Sequence, residues 1–237
     1  MQIKRHFKDF AKRFGFDIVR YVPEVSKPFD VLSLVVEERL RLGTGFYFLQ
    51  VGANDGVLDD PIRHLVTRHA LKGLLVEPLP DLFDTLKKTY AGQAGLSFEN
   101  VAIGDRPGSA TIYRVKSAAQ VPEHWHGMAS FSHAHLLKEG APADLIEPCT
   151  VQAITMRDLL ARHSINRIDL LQVDTEGYDY EIVKSVLEAG ILPAIINYEH
   201  CHLMPAIRHA AWQMLVERGY RFLEVGKDTL AVHHAGP

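Results

Sequence analysis

The chain of 237 residues is 47% hydrophobic and 23% charged, a balance that buries one large core and excludes a disordered or fibrous chain. A formal net charge of −3 gives no electrostatic ground to expect a nucleic acid or an anionic membrane as partner. Cys149 and Cys201 lack the CxxC spacing of zinc and redox sites and are too few for a disulfide framework, so a reducing compartment, the cytoplasm, is expected.

The opening stretch MQIKRHFKDFAKRFGFDIVRYVP is basic, but Asp9 and Asp17 interrupt the charge and no apolar run follows, so a secretory signal is not expected. Phe7, Phe10, Ala11 and Phe14 recur at helical spacing and predict a packing helix, through which two copies could pair as a homodimer. Residues 1–45 are read as this helical segment packing on the core, and residues 46–237 as the main domain. No apolar run reaches the roughly 18 residues that a membrane span needs.

Further on, apolar runs of strand length alternate with segments of helical period, the pattern of a parallel sheet covered by helices. The runs are Phe46–Val51, Gly73–Glu77, Leu96–Ile103, Ile168–Val173, Ala194–Tyr198, Tyr220–Val225 and Thr229–His233. Between the first two, Asp60 caps a helix whose stripe is Ile62, Leu65 and Val66 and whose end is Gly73. Leu82, Phe83, Leu86 and Tyr90 form the next stripe, and Thr155 and Asp158 have capping-box spacing ahead of Leu159 and Leu160. Lys116 to Pro148 breaks the alternation and reads as an insertion over an acceptor site, with Trp125, Met128, Phe131 and the surface or lid histidines His124, His126, His133 and His135. Ile182, Val183, Val186 and Leu187 repeat the helical stripe before Gly190. The last two runs are joined by too few residues for a parallel crossover, so the sheet ends in an antiparallel hairpin. The expected fold is α/β and Rossmann-like: seven mostly parallel strands with helices on both faces.

The first strand runs straight into a glycine turn, FYFLQVGANDG, and then into a helix, the elements of a nucleotide cradle. Gly52 and Gly56 permit positive φ and close backbone approach to a ligand. A dinucleotide fingerprint would need Gly-x-Gly-x-x-Gly, whereas Asn54 and Asp55 stand here, and Asp55 would repel a pyrophosphate. An acidic loop suits the sulfonium and ammonium charges of S-adenosyl-L-methionine instead. The second strand ends at Glu77, about 20 residues past Gly56, where these folds set a carboxylate against the ribose; an ionised carboxylate accepts from both vicinal hydroxyls. Asn100, Val101 and Ala102, after the third run, would frame the adenine.

The segments FLQVGANDG, LLVEPLPDLFDTL, NVAIGDRPG, ITMRDLL and IDLLQVDTEGYDYEIVKSV, in that order and spacing, resemble the FkbM-like S-adenosylmethionine-dependent methyltransferases. The resemblance implies the class I fold, S-adenosyl-L-methionine, and transfer to an oxygen of a sugar, polyketide or related small-molecule or glycan acceptor. Gln50 departs from the acidic residue of many class I enzymes, and Gln172 from the lysine that often precedes Asp-x-Glu-Gly. The cofactor residues expected are Gln50, Gly52, Ala53, Asn54, Asp55, Gly56, Glu77, Pro78, Asn100, Val101, Ala102 and Asp174.

The fourth strand delivers DTEGYDYE, which puts Asp174 and Glu176 at a carboxyl strand end, where ligands of open α/β sheets bind. The fifth delivers NYEHCH, with Glu199, His200 and His202 at the neighbouring end. A hydroxyl acceptor needs a base, for which His200, Asp174, Glu176 and Glu199 are the candidates, His200 being expected to face the same crevice. The same groups offer ligands for a divalent ion, but no ligand-spacing motif calls for one, so no metal is assigned. Two other classes share these features: a nicotinamide-dependent oxidoreductase, whose glycine pattern is missing, and a binding module that keeps the fold without catalysis.

Overall fold

The structure, a computed structural model, describes residues 29–43, 45–117 and 120–234. The helix read at Phe7 to Phe14 lies outside them. The chain divides into residues 1–30 and a compact unit of residues 31–237, which is the one described below. It opens with α1 (Val31–Arg41), β1 (Tyr47–Val51), α2 (Arg63–His69), β2 (Lys72–Val76), α3 (Pro80–Thr89) and β3 (Leu96–Glu99). Next come β4 (Ala102–Ile103), β5 (Gly108–Val115), α4 (Glu123–His126), β6 (Ala129–Ser130), α5 (His133–Lys138) and β7 (Ile146–Ile154). It closes with α6 (Met156–Arg162), β8 (Leu170–Val173), α7 (Asp179–Glu188), β9 (Ile195–Glu199), α8 (Pro205–Glu217), β10 (Tyr220–Val225) and β11 (Asp228–His233). No helix among the described residues is long and apolar enough to cross a membrane.

Seven strands form the main sheet in the order β10-β11-β9-β8-β1-β2-β3, with β11 the only strand antiparallel to its neighbours on both sides. Successive residues of a strand point to opposite faces, and the buried runs use both. Leu49, Val51, Leu74, Val76, Leu171 and Val173 meet the apolar stripes of α6, α7 and α8. Phe48, Leu75 and Leu170 meet those of α1, α2 and α3 on the other side. Along that second face Gln50 stands beside Gln172, and Gln172 beside Asn197; Asn197 Nδ2 donates to Gln172 Oε1 at 3.0 Å. Gln50 and Gln172, the two departures from the family pattern, are thus neighbours in one buried polar row.

Three local readings are corrected. The run Leu96–Ile103 is two strands, because Asn100 and Val101 turn the chain out of the main sheet, and β4 belongs to a second sheet of order β4-β7-β5-β6. Gly73 does not end α2; Ala70, with φ of 47°, does, while Gly73 lies in β2, where a Cβ would strike the Phe48 ring. The insertion is bounded by a long hairpin: β5 pairs with β7 from Gly108–Ala153 to Val115–Ile146, so Ile146 to Pro148 are strand. The capping-box expectation fits the geometry, since the Asp158 amide donates to Thr155 Oγ1 at 3.1 Å and that hydroxyl donates to Asp158 Oδ2 at 2.7 Å.

α1 is tied to the sheet by one carboxylate. Asp169 is 1% exposed and accepts from Arg39 Nε and Nη2 at 3.0 and 2.9 Å, from Arg167 Nη2 at 2.6 Å and from the Tyr47 amide at 3.1 Å. Removing it leaves a part-buried amide without its acceptor and two partly exposed guanidinium groups without their carboxylate, so Asp169→Ala should cost about 1–3 kcal/mol in urea unfolding. A loss below about 1 kcal/mol would mean that water replaces the carboxylate freely.

Candidate functional site

A cleft opens at the carboxyl ends of β1, β2 and β8. Its floor is set by the turn after β1. Gly52 has φ of 81°, and a Cβ there would collide with the carbonyl oxygen of Asp174, so only glycine lets the two loops touch. The amides of Gly52 and Ala53 both donate to Val76 O at 3.0 Å, which folds the turn over the end of β2.

Glu77 follows β2 and is 4% exposed. Asn54 N donates to its Oε2 and Leu79 N to its Oε1, each at 2.9 Å, and burial pushes its carboxyl up to about 7. Each oxygen keeps a lone pair for a further donor, and Glu77 lines the cleft. Gln50 lines it as well, 3% exposed, with its Oε1 lacking any hydrogen-bond partner. Ala53, Asn54, Pro78, Val101 and Ala102 complete this end.

Three of the expected cofactor residues stand aside from the cleft wall. Asp55 turns its carboxylate onto its own loop, where Oδ1 accepts from Val57 N and Leu58 N at 2.8 Å. Asp60 takes the acidic place on the wall, its Oδ1 capping the amides of Ile62 and Arg63 and its Oδ2 accepting from the Tyr90 hydroxyl. Gly56 packs on α3, where a Cβ would crowd Leu86 and Tyr90. Asn100 spends its amide on the carbonyls of Glu77 and Pro78, at 2.8 and 3.0 Å, bracing the Glu77 turn from behind.

Acidic groups crowd the opposite end. Asp174 and Glu176 lie on the β8–α7 turn and line the cleft. Asp179, wholly buried, accepts from the amides of Thr175 and Gly177 at 3.3 and 3.2 Å and holds the turn in shape. Burial, together with Glu199, Asp179 and Glu176, raises the Asp174 carboxyl well above the usual carboxylate range. Burial raises Asp179 to about 7. Burial acts the same way on Glu199, but His202 and Lys227 outweigh it and hold that carboxyl down at about 2. Lys227 Nζ lies 3.0 Å from Glu199 Oε1 and reaches into the cleft from the β10–β11 turn.

His200 is corrected: it does not face the crevice. Its ring is 4% exposed, with Nδ1 3.0 Å from Thr229 Oγ1 and Nε2 3.8 Å from Glu224, and it is absent from the cleft wall. The imidazoles that do reach the acidic end are His202 and His135. His202 Nε2 lies 3.1 Å from Glu199 Oε2 and 3.5 Å from Glu176 Oε2, while His135 Nε2 lies 3.1 Å from Glu176 Oε2. Three carboxylates raise His202 to about 9, its bond to Glu199 first, so this imidazole is protonated at neutral pH. His135, read from sequence as a surface or lid residue, is a part-buried contact of Glu176.

The insertion forms one wall. Gly127, Ala129, Ser130 and Phe131 line the cleft, and Ser130 Oγ donates to the carbonyl of Glu176 at 2.9 Å. The Phe131 ring meets Tyr178 edge-on at 5.0 Å, and a Cβ on Gly127 would strike the Asn54 amide. Met128 faces inward, 6% exposed.

A family model described as the methyltransferase FkbM domain matches residues 50–222. No protein of curated function matches the chain by sequence. Among solved structures, the O-methyltransferase TomG of Streptomyces achromogenes, involved in tomaymycin synthesis and in complex with SAM, is 11% identical with a TM-score of 0.47, covering 98% of this chain and 89% of its own. The human methyltransferase 10 domain containing protein is 13% identical with a TM-score of 0.46, at 97% and 94% coverage. The N-terminal domain of human METTL16 is 12% identical with a TM-score of 0.46, at 94% and 77%.

Asp179 carries a pH signature. Its folded value near 7 exceeds the ordinary 3.8, so the folded state holds this proton more tightly than the unfolded one. The associated stability is present below about 4 and is lost as pH rises through about 7. Asp179→Asn should therefore gain on wild type by up to a few kcal/mol between those limits, read from paired urea titrations. A difference that stays flat with pH would show Asp179 to be ionised throughout.

Proposed function

The chain belongs to the FkbM methyltransferase family, and on that premise we propose that it transfers the methyl group of S-adenosyl-L-methionine to a hydroxyl of a sugar, polyketide or related small molecule. Membership decides for methyl transfer over the hydride chemistry that the first glycine turn also allows. The observation that carries the reading is Glu77: a buried carboxylate on the cleft wall, oriented by the amides of Asn54 and Leu79, with acceptor capacity left over.

The cleft fits such a cofactor. Two vicinal ribose hydroxyls match the free lone pairs of Glu77, and the unpartnered Oε1 of Gln50 calls for a donor that the protein itself does not supply. Val101, Ala102 and Pro78 give an apolar slot at the same end, suited to a purine. The cofactor supplies an electrophilic methyl group, whose cationic donor is favoured beside Asp60 and Asp174. The chain's own part is to bind, orient and deprotonate the acceptor.

Asp174 is the proposed base. It lies on the cleft wall, and its raised carboxyl binds a proton more tightly than an ordinary carboxylate, as a base for a hydroxyl requires. Lys227 stays protonated, because Asp174 and Glu199 outweigh its burial, and His202 is protonated as well, so neither competes for that proton. Glu176 and Glu199 position these two cations. The insertion, with Phe131 and Ser130 on the wall, serves as the acceptor side and keeps water from the transfer site.

Calorimetric titration with S-adenosyl-L-methionine should show Glu77→Ala weakening binding by about 1.5–3 kcal/mol in a protein whose circular dichroism matches wild type. An unchanged Kd would remove Glu77 from the cofactor site. Methyl transfer to a panel of hydroxylated sugars and polyketides should fall about 10²–10⁴-fold in Asp174→Asn and stay within a few-fold in His200→Ala. Loss of turnover in His200→Ala alone would overturn the choice of base. Cofactor affinity without transfer to any acceptor would favour a binding module.

A further inference from the structure

Behind Glu176, away from the cofactor end of the cleft, two imidazoles and a carboxylate converge from separate segments. His135 lies on α5 and Glu139 caps that helix one turn later, so both present to the same side. His202 comes from the loop after β9. Its ring stands perpendicular to that of His135 with centroids 4.7 Å apart, and its Nδ1 is 3.2 Å from Glu139 Oε1. One ligand atom from each of the three lies within 4.8 Å of the others.

The outward nitrogens of both rings are already engaged. Nε2 of His135 is 3.1 Å from Glu176 Oε2, and Nε2 of His202 is 3.1 Å from Glu199 Oε2. Carboxylates in this position fix imidazole orientation and tautomer around bound metals, and they leave Nδ1 of each ring as the remaining ligand nitrogen. Glu199 is 2% exposed, so the carboxylate that faces His202 is itself held away from solvent. We infer that His135, Glu139 and His202 form a zinc site, with Glu176 and Glu199 as the carboxylates that orient the two imidazoles.

The donor chemistry selects the ion. Two imidazoles and one carboxylate suit zinc, whereas calcium and magnesium prefer all-oxygen sets. Zinc–ligand distances of about 2.0–2.2 Å require the three atoms to draw together, which rotation of the half-buried His202 and Glu139 side chains permits. Because α5, the β8–α7 turn and the β9 loop all contribute, the ion would staple the insertion to the cleft wall at Glu176.

A second set, Glu199, Cys201 and His202, shares one ligand and must be told apart. The full chain, stripped with chelator, is titrated with zinc chloride by calorimetry and melted with and without the ion. The expected result is one equivalent bound with a Kd in the micromolar range or below and a higher melting temperature. His202→Ala should weaken binding at least tenfold, and Glu139→Ala, at a half-exposed helix end, should do the same should the first variant fail to fold. Cys201→Ser and His200→Ala should bind as wild type. The inference falls if no saturable equivalent binds, if Glu139→Ala binds zinc as wild type does, or if Cys201→Ser abolishes binding. S-adenosyl-L-methionine affinity is read separately on the stripped protein, so failure of the zinc site leaves the methyltransferase reading untouched.

Discussion

The site depends on one steric allowance: there is no room for a side chain at position 52. The turn after β1 presses against the carbonyl of Asp174, so the carboxyl ends of β1 and β8 come into main-chain contact. Asp174 N donates to Val51 O, and the amides of Gly52 and Ala53 converge on Val76 O, all at 3.0 Å. Three parallel strand ends are thus laced by backbone alone. Glu77 and Asp174 are delivered to the cleft as the next residues after β2 and β8, which is why an open parallel sheet can place charged groups accurately without burying them in its core.

Placing them there is costly, and the local structure offsets the cost. Asp174 and Asp179 sit, with Glu199 close by, where desolvation and repulsion both oppose their ionisation. Main-chain amides of the β8–α7 turn hold Asp179 at the N-terminal end of a ten-residue helix, where the helix dipole also favours negative charge. Lys227 and His202 supply the positive charge, each set at a neighbouring strand end. Glu176 itself sits in the left-handed region, φ 52°, ahead of Gly177, which bends the turn enough to aim its carboxylate at both His135 and His202.

The strands of the main sheet were legible: β1, β2, β8 and β9 because buried parallel strands are continuous apolar runs, and the antiparallel end because so short a link cannot make a parallel crossover. The glycine-turn end of the cleft was legible for the same reason: Gly52 and Glu77 are tied to strand ends that the runs define. What failed was side-chain direction. Glu199 and His200 are adjacent, so they point to opposite sides, and reading both into one crevice ignored that alternation. The second sheet escaped because β5 and β7 alternate burial and carry Gly108, Pro148 and Cys149, a weak strand signal. The meeting of His135 with His202 could not be read at all, since it is a contact between an inserted helix and a strand-end loop far along the chain. Asp60 caps its helix as the sequence predicts, but Asp55 is also consumed by capping, of its own loop, a competition between turn chemistry and the cleft wall that spacing does not reveal.

The hairpin of β5 and β7 has a consequence for how this scaffold accommodates change. The two strands are paired along their length, and at its far end the Lys116 amide still donates to Leu145 O at 2.9 Å. The excursion between them leaves and re-enters the fold at a single point, and it is fixed to the rest of the fold by β6, which pairs back on β5, and by Ser130 and His135 at Glu176; the stretches between these anchors are where its length can vary. Loop closure penalises added residues only logarithmically. On the proposal that the insertion is the acceptor side, acceptor preference can drift by exchange of this segment provided its contacts with Asn54 and Glu176 are kept, which makes the hairpin a natural joint for building chimeras between relatives.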